Sequence, residues 1–331
     1  MSDKLISTNG AARSGGIDLN TRGDANISGD AVGRDKIVNQ LIQPPSGVLA
    51  LHQLPPPPPD FTGRQSDLAD LLDQFQQGTT IFGIHGEGGI GKTALALKLA
   101  ERLSEQYSEA QIFLDLKGSS STPLSAYDIM AYIIRSFQPA AKLPEDKDRL
   151  TAAYRSVLFE QHTLLLLDNI RGAEQIQPLW PPSAGCGVIV TSRFHFTLPG
   201  LSSKNLTTLS TADARALLLR ITPRIGERAD EIAKLCGYLP LALRPVASQL
   251  KMRESLTPAS CIEKLSDEPR RLKFLSSAAD YSGEPSVDAA LAASCDLLSE
   301  RLRKLWRMVS IFPKEFDAVE AGAVWALDFE T

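Results

Sequence analysis

Cysteine is scarce in these 331 residues. The four present, Cys186, Cys236, Cys261 and Cys295, form no C-x-x-C pair and have no neighbouring histidine. Such spacing excludes a zinc site and a disulfide framework. Charge of one sign is equally lacking: 35 Lys and Arg stand against 39 Asp and Glu, a formal net charge of −4. A chain that lives on nucleic-acid phosphates normally carries a basic excess. Long apolar runs are absent too. The best, Leu164–Leu167, is far short of the ~18 residues that a membrane-spanning helix needs. Met1-Ser2-Asp3-Lys4-Leu5-Ile6 leads into Ser, Asn and Gly rather than into an apolar signal core. The expectation is a soluble, cytoplasmic chain without membrane contact. Its histidines, His52, His85, His162 and His195, are scattered, and no nucleophile stands with a base.

What is present is ordinary globular material. Hydrophobic residues at 43% and charged residues at 22% exclude wholesale disorder. Residues 1–54 differ, being rich in Gly, Asn, Asp and Ser, and read as a polar arm that is expected to be flexible. A near-repeat within it, Gly23-Asp24-Ala25-Asn26-Ile27 and Gly29-Asp30-Ala31-Val32, also fits a short β-forming element, but two copies are too few for a solenoid. Pro55–Pro59 is an unbroken polyproline spacer, so 55–60 reads as a linker. From 61 to 209, apolar strands at Thr79–His85, Gln111–Leu116, Thr163–Asp168 and Val188–Thr191 alternate with helical patterns. That alternation argues for an α/β fold, a parallel sheet with helices on both faces. Beyond Ser210, where Ser210-Thr211-Ala212-Asp213 resembles a capping box, strand signals stop and an all-helical segment is expected. Helices are expected near Arg228–Cys236 and Leu241–Leu250, with Gly237 terminating one and Pro240 suited to the first turn of the next. Further helices are expected at Val287–Leu297, Leu298–Ser310 and Ala318–Leu327. The stop at Thr331 without a closing element leads us to expect a fragment.

Chemistry concentrates in one motif. Gly86-Glu87-Gly88-Gly89-Ile90-Gly91-Lys92-Thr93 fits G-x-x-x-x-G-K-[ST]. Glycines let successive backbone N–H groups turn inward around a phosphate, and the helix that follows presents its positive end. Gly86, Gly88, Gly89 and Gly91 form that loop, Lys92 reaches the phosphates and the Thr93 hydroxyl suits Mg²⁺. A chance match in a chain of this length is roughly one in a hundred. A metal-bound triphosphate also needs a carboxylate at a neighbouring strand tip, and Leu164-Leu165-Leu166-Leu167-Asp168 ends in one. Val188-Ile189-Val190-Thr191-Ser192-Arg193 is a further strand ending in a cation. Arg193 is suited to a γ-phosphate, although a solvated surface arginine reads the same way.

In order along residues 60–331, these parts resemble the NB-ARC branch of the STAND signalling P-loop ATPases. Phe61-Thr62-Gly63-Arg64 resembles the motif that precedes the phosphate loop, and Gly237-Tyr238-Leu239-Pro240-Leu241-Ala242-Leu243 looks like the family's GLPLAL motif. Asp168–Gln175 is similar to bacterial members, including actinobacterial transcriptional regulators. Leu297 to Phe316, with Trp306, Ile311 and Phe312, looks like the opening of a winged helix. The resemblance implies a P-loop domain over 61–209, a helical subdomain over 210–280 and a partial winged helix over 281–331. It also implies that Arg64 lines the adenine side of an ADP or ATP pocket and that Thr93 and Asp168 hold Mg²⁺. Pro240 would sit against the nucleotide and report its state. In the family, ADP locks the subdomains and exchange for ATP releases them to form a homo-oligomer, which implies a protein sensor or effector as partner.

Two departures qualify the resemblance. Many members carry Asp-Asp at the strand tip, whereas here Asn169 follows Asp168. The pair is read as the catalytic position, and an amide at 169 implies at most slow hydrolysis, unless Glu87 takes the role of base. The family's histidine-containing motif has no match in these residues. Competing readings are a metabolic P-loop kinase or GTPase, the latter lacking any N-K-x-D guanine motif, and a DNA-binding regulator acting through the winged helix. For the last, Arg301, Arg303, Lys304 and Arg307 supply basic residues, but Arg303 and Lys304 also suit a solvated helix face.

Overall fold

The computed structural model describes residues 51–279 apart from 121, 160 and 184, together with 287, 295, 298–312 and 316–325. The near-repeat at 23–32 and most of the expected helix 287–297 lie outside the described residues.

Six strands form one sheet: β1 (Leu51–His52), β2 (Ile81–His85), β3 (Ala110–Asp115), β4 (Thr163–Ile170), β5 (Cys186–Ser192) and β6 (Ser202–Asn205). Their spatial order is β1-β3-β4-β5-β2-β6, with every pairing parallel. Strands β2, β4 and β5 are inaccessible over nearly their whole length, as expected for a parallel sheet covered on both faces. Alternation along β4 divides the core. Leu165 and Leu167 pack with helices α3 (Ala126–Phe137) and α4 (Lys147–Leu158), while Leu164 and Leu166 pack with α1 (Gln65–Gln76) and α2 (Lys92–Leu103). Each fully buried leucine contributes roughly 1.5–3 kcal/mol. The four-leucine run thus anchors both layers at once and fixes the strand tip that follows it. A short helix, α5 (Ala173–Ile176), leads from that tip towards β5.

Beyond β6 the chain is helical: α6 (Thr211–Ile221), α7 (Ala229–Leu235), α8 (Pro240–Met252), α9 (Pro258–Ser266) and α10 (Glu268–Ala279). They share a second core built on Leu218, Ile232, Leu243, Val246 and Leu265. Ser210 caps α6 as expected, its hydroxyl accepting the Asp213 N–H at 3.1 Å. Pro240 occupies the first turn of α8, where its missing N–H costs nothing. At the other end of α8, Arg224 donates to the carbonyls of Leu250, Arg253 and Leu256, which answers acceptors that a helix terminus leaves open. Farther on, helices Glu300–Met308 and Ala318–Trp325 are joined by the Trp325 indole N–H, which donates to the Leu305 carbonyl at 2.8 Å.

Two features differ from the expectation. Residues 51 and 52, assigned by composition to the polar arm, pair in register with Ala110 and Gln111 as the edge strand β1. A strand beyond the four expected core strands is also present before Ser210: Ser202-Ser203-Lys204-Asn205 pairs with Phe82–His85 as β6. That strand is polar because it forms the sheet's far edge, half-exposed along its length.

Candidate functional site

A parallel sheet brings all its strand C-termini to one edge, and the site lies there. The phosphate loop leaves β2 and enters α2. Strand β5 lies between β2 and β4, with Ile84 in register with Thr191. Thr191 therefore stands between the loop and Asp168. The Thr191 hydroxyl donates to the Asp168 carboxylate at 2.6 Å, and the Thr93 hydroxyl donates to the same oxygen at 2.8 Å. The two bonds converge on Asp168 and tie β4 to β5 and to α2. Burial pushes the Asp168 carboxyl above its ordinary value, Asp115 on the neighbouring strand adds to that, and the two threonine hydroxyls oppose it.

The loop itself depends on left-handed backbone. Gly91, with φ +99°, stands at the N-cap of α2 and brings no side-chain cap, so no side chain answers the helix's first N–H groups there. Lys92 folds back over the loop, its Nζ donating to the carbonyls of Gly86 at 2.8 Å and Glu87 at 2.7 Å. Burial, and after it the charge of Arg193, lower Lys92 to about 8 against the opposing Asp168 and Glu87. Arg193 follows β5 directly, and its guanidinium lies 3.6 Å from where a Cβ on Gly88 would be. Burial lowers Arg193 as well. Lys92 and Arg193 are both disfavoured as cations by burial beside a helix N-terminus, a setting that suits an anion. The residues present fit a polyphosphate, and the Thr93 hydroxyl with the Asp168 carboxylate is the oxygen donor set that a Mg²⁺ ion takes.

The other expected residues fall on two sides of this centre. Asn169 occupies an irregularity in the β4–β5 pairing between Leu167 and Ile170, with φ +54°. Its N–H donates to the Thr191 hydroxyl at 2.9 Å. Its side chain turns towards β3, accepting from the Ser119 hydroxyl at 2.5 Å and donating to Asp115 at 3.3 Å. Asn169 thus shares Thr191 with Asp168 through its backbone, while its side chain is bonded towards β3. Arg64 is buried, with φ +63°, and donates to the carbonyls of Ile90 at 3.1 Å and Thr207 at 2.5 Å. It braces the loop against the segment that leads to the helical part.

Pro240 and its neighbour approach the loop from the helical side. The Leu241 N–H donates to the Gly89 carbonyl at 3.2 Å. A Cβ on Gly89 would meet the Leu241 side chain at 2.5 Å, so only glycine permits this contact. The Pro240 ring comes within 3.7 Å of the Cβ position of Gly91. Beside them a pocket opens, lined by Phe61, Arg64, Ile90, Ala94, Leu217 and Pro240 among others. All the expected loop residues, Arg64 and Pro240 therefore converge on one place. Sequence reasoning missed Thr191 as a donor to Asp168, although its place in a strand ending in Ser192-Arg193 marked the right strand.

His85 ends β2 just before the loop and is buried, as its position implied. Its Nδ1 lies 2.8 Å from the Phe194 carbonyl, and its ring stacks on His195. Burial is the main cause lowering its pKa. Among the described residues no group of three or more His, Cys, Asp or Glu could hold a metal ion by itself, and no helix is long and apolar enough to cross a membrane.

Sheet order, loop and strand-tip carboxylate together define an α/β P-loop NTPase fold. Residues 63–197 match the NB-ARC domain family. The chain carries a domain of the NB-ARC branch of the STAND P-loop ATPases. It is 35% identical over 234 residues to the regulatory protein AfsR of Streptomyces griseus, an alignment covering 67% of this chain and 24% of that protein. AfsR of Streptomyces coelicolor is 31% identical over 278 residues, covering 78% and 27%. The disease resistance protein RML1B of Arabidopsis thaliana is 24% identical over 262 residues, covering 74% and 24%. The chain spans about a quarter of the length of these curated relatives. Among solved structures, a STAND protein with a tetratricopeptide repeat sensor from Pyrococcus horikoshii is similar with a TM-score of 0.44 at 15% identity, covering 83% of this chain and 38% of that one.

Proposed function

We propose that the chain is an ADP/ATP-dependent switch, in which the helical subdomain reads the phosphate loop. The observation that carries this reading is the direct bond from Leu241 at the start of α8 to Gly89 in the loop. A loop that only bound nucleotide would need no helix seated on its backbone. Lys92 and the α2 N-terminus would hold the phosphates, Arg193 would sense the terminal one, and Thr93 with Asp168 would hold Mg²⁺. The pocket beside Arg64 and Pro240 is the place for the base. Magnesium, when bound, would offset phosphate charge. The chain's own part is to position the anion and to couple it to α8.

The chain would be a slow ATPase whose exchange of ADP for ATP frees the helical subdomain and lets copies assemble on signal. AfsR, a regulatory protein, and RML1B, a disease resistance protein, support a role in transcriptional control or defence. A soluble, cytoplasmic setting is consistent with both, as is the division at residues 61–209, 210–280 and 281–331. The test is nucleotide analysis of the protein's heat-released supernatant. ADP is expected with the natural chain and none with Lys92→Ala, which removes a charge-assisted contact to phosphate. Equal ADP content in both would sink the assignment.

A further inference from the structure

Resting on the nucleotide reading above, we propose that the Asp60–Arg244 ion pair latches the base pocket and sets how fast nucleotide leaves. A proline run has no N–H groups to donate, so a segment such as 55–59 can be held in place only through its carbonyls and flanking side chains. Two arginines of the helical subdomain do this. Arg220 of α6 donates to the carbonyls of Pro59 at 3.1 Å and Phe61 at 3.4 Å. Arg244 of α8 pairs with Asp60 at 2.6 Å, with the two side chains only 21% and 20% exposed. The turn is fixed locally: the Phe61 N–H donates to the Pro58 carbonyl at 2.9 Å, and the Thr62 hydroxyl to the Asp60 carbonyl at 2.8 Å.

This strap is anchored at its other end in the sheet. Leu51 and Gln53 donate their N–H groups to the carbonyls of Glu109 and Gln111, at 3.1 and 2.8 Å. Segment 51–60 therefore runs from the sheet edge to α8, and Pro58, Asp60 and Arg244 line the same pocket as Pro240. Arg244 stands one helical turn after Pro240 on α8, so the residue that touches the loop and the residue that holds the strap share one rigid element. Any motion that lifts Leu241 from Gly89 strains the ion pair, and an intact pair opposes opening of the pocket. Exposed pairs contribute little, but this one is mostly covered and charge-assisted, so its loss is expected to matter.

Release of a fluorescent ADP analogue, chased with excess ADP, tests the latch in the natural chain, Asp60→Asn, Arg244→Gln and the reciprocal double variant Asp60→Arg/Arg244→Asp. The single variants are expected to release the analogue about tenfold faster with little change in association rate, and the reciprocal pair to return towards the natural rate. Unchanged release in both single variants would overturn the latch. A natural chain that binds no analogue would instead overturn the nucleotide reading. In that event hydrogen exchange of the Phe61 amide in nucleotide-free protein decides the latch: faster exchange in both single variants, recovered in the reciprocal pair, supports it, and equal protection in all four contradicts it.

Discussion

Leu241 meets the phosphate loop with backbone and side chain together, its N–H reaching the Gly89 carbonyl at 3.2 Å while its side chain fills the space that any Cβ at 89 would need. Close packing on this scale makes small shifts costly, since interiors respond to displacements of a fraction of an ångström. A change in the loop's backbone therefore reaches α8 without an intermediary. The helix carrying this contact is buried in its own core through Ala242, Leu243, Val246 and Leu250, so it moves as part of the helical subdomain.

Arg193 lies against Gly88 and depresses the charge of Lys92. If it senses the terminal phosphate, Arg193→Ala is expected to weaken binding of a non-hydrolysable ATP analogue more than binding of ADP. A charge-assisted bond contributes about 1.5–3 kcal/mol, so the affinity ratio should move roughly tenfold or more. Titration calorimetry with both nucleotides checks this. Equal losses would make Arg193 a structural residue of the loop.

Lys92 gives the site a pH signature. Its folded value of about 8 lies below its ordinary 10.5, so below pH 8 the buried ammonium destabilises the nucleotide-free fold, and that penalty fades between about 8 and 10.5. A bound anion favours the protonated form and raises the value again. Above pH 8, binding is therefore expected to take up a proton and to weaken by up to about tenfold per pH unit. Calorimetry in buffers of different ionisation enthalpy measures the uptake. An apparent binding enthalpy that is the same in all those buffers at pH 8.5 would contradict the uptake.

Asn169 offers its amide to Ser119 and Asp115, away from the Thr93–Asp168 bond. Hydrolysis by the natural chain is expected far below the ~10 s⁻¹ of a median enzyme. A carboxylate at 169 would stand beside Asp115, a like-charge contact of about 1 kcal/mol at low salt. For a domain of this size Asn169→Asp should then lower the melting temperature by roughly 2–4 °C, less so at high salt, and leave single-turnover hydrolysis within about tenfold of the natural rate. A large gain in hydrolysis with unchanged stability would show that the side chain at 169 faces the phosphates after all. Glu87→Gln, measured alongside, tests the loop carboxylate as the base.

The sheet core and phosphate loop were legible because their signals are local. Four leucines before Asp168, and glycines spaced around Lys92, dictate strand and loop whatever surrounds them. Strand β6 was not legible, since an exposed edge selects polar residues and leaves no apolar alternation in Ser202–Asn205. Helix α9 was not legible either: its apolar residues are too few to announce a helix, and its cap, the Thr257 hydroxyl accepting the Ser260 N–H, is seen only in the structure. The direction of the Asn169 side chain was hidden for a different reason. It follows from a strand irregularity and a positive φ that are set by pairing with β5. Composition likewise could not show the strap, because the same prolines serve a free spacer or a clamped one, and only Arg220 and Arg244, at least 160 residues away, decide between them.

If nucleotide state is read through the Leu241–Gly89 contact, hydrogen exchange of the Leu241 amide must differ between ADP-loaded protein and protein loaded with a non-hydrolysable ATP analogue. Slow exchange is expected with ADP and markedly faster exchange with the analogue, as α8 leaves the loop. Equal protection of that amide in the two states, with both nucleotides shown to be bound, would contradict it.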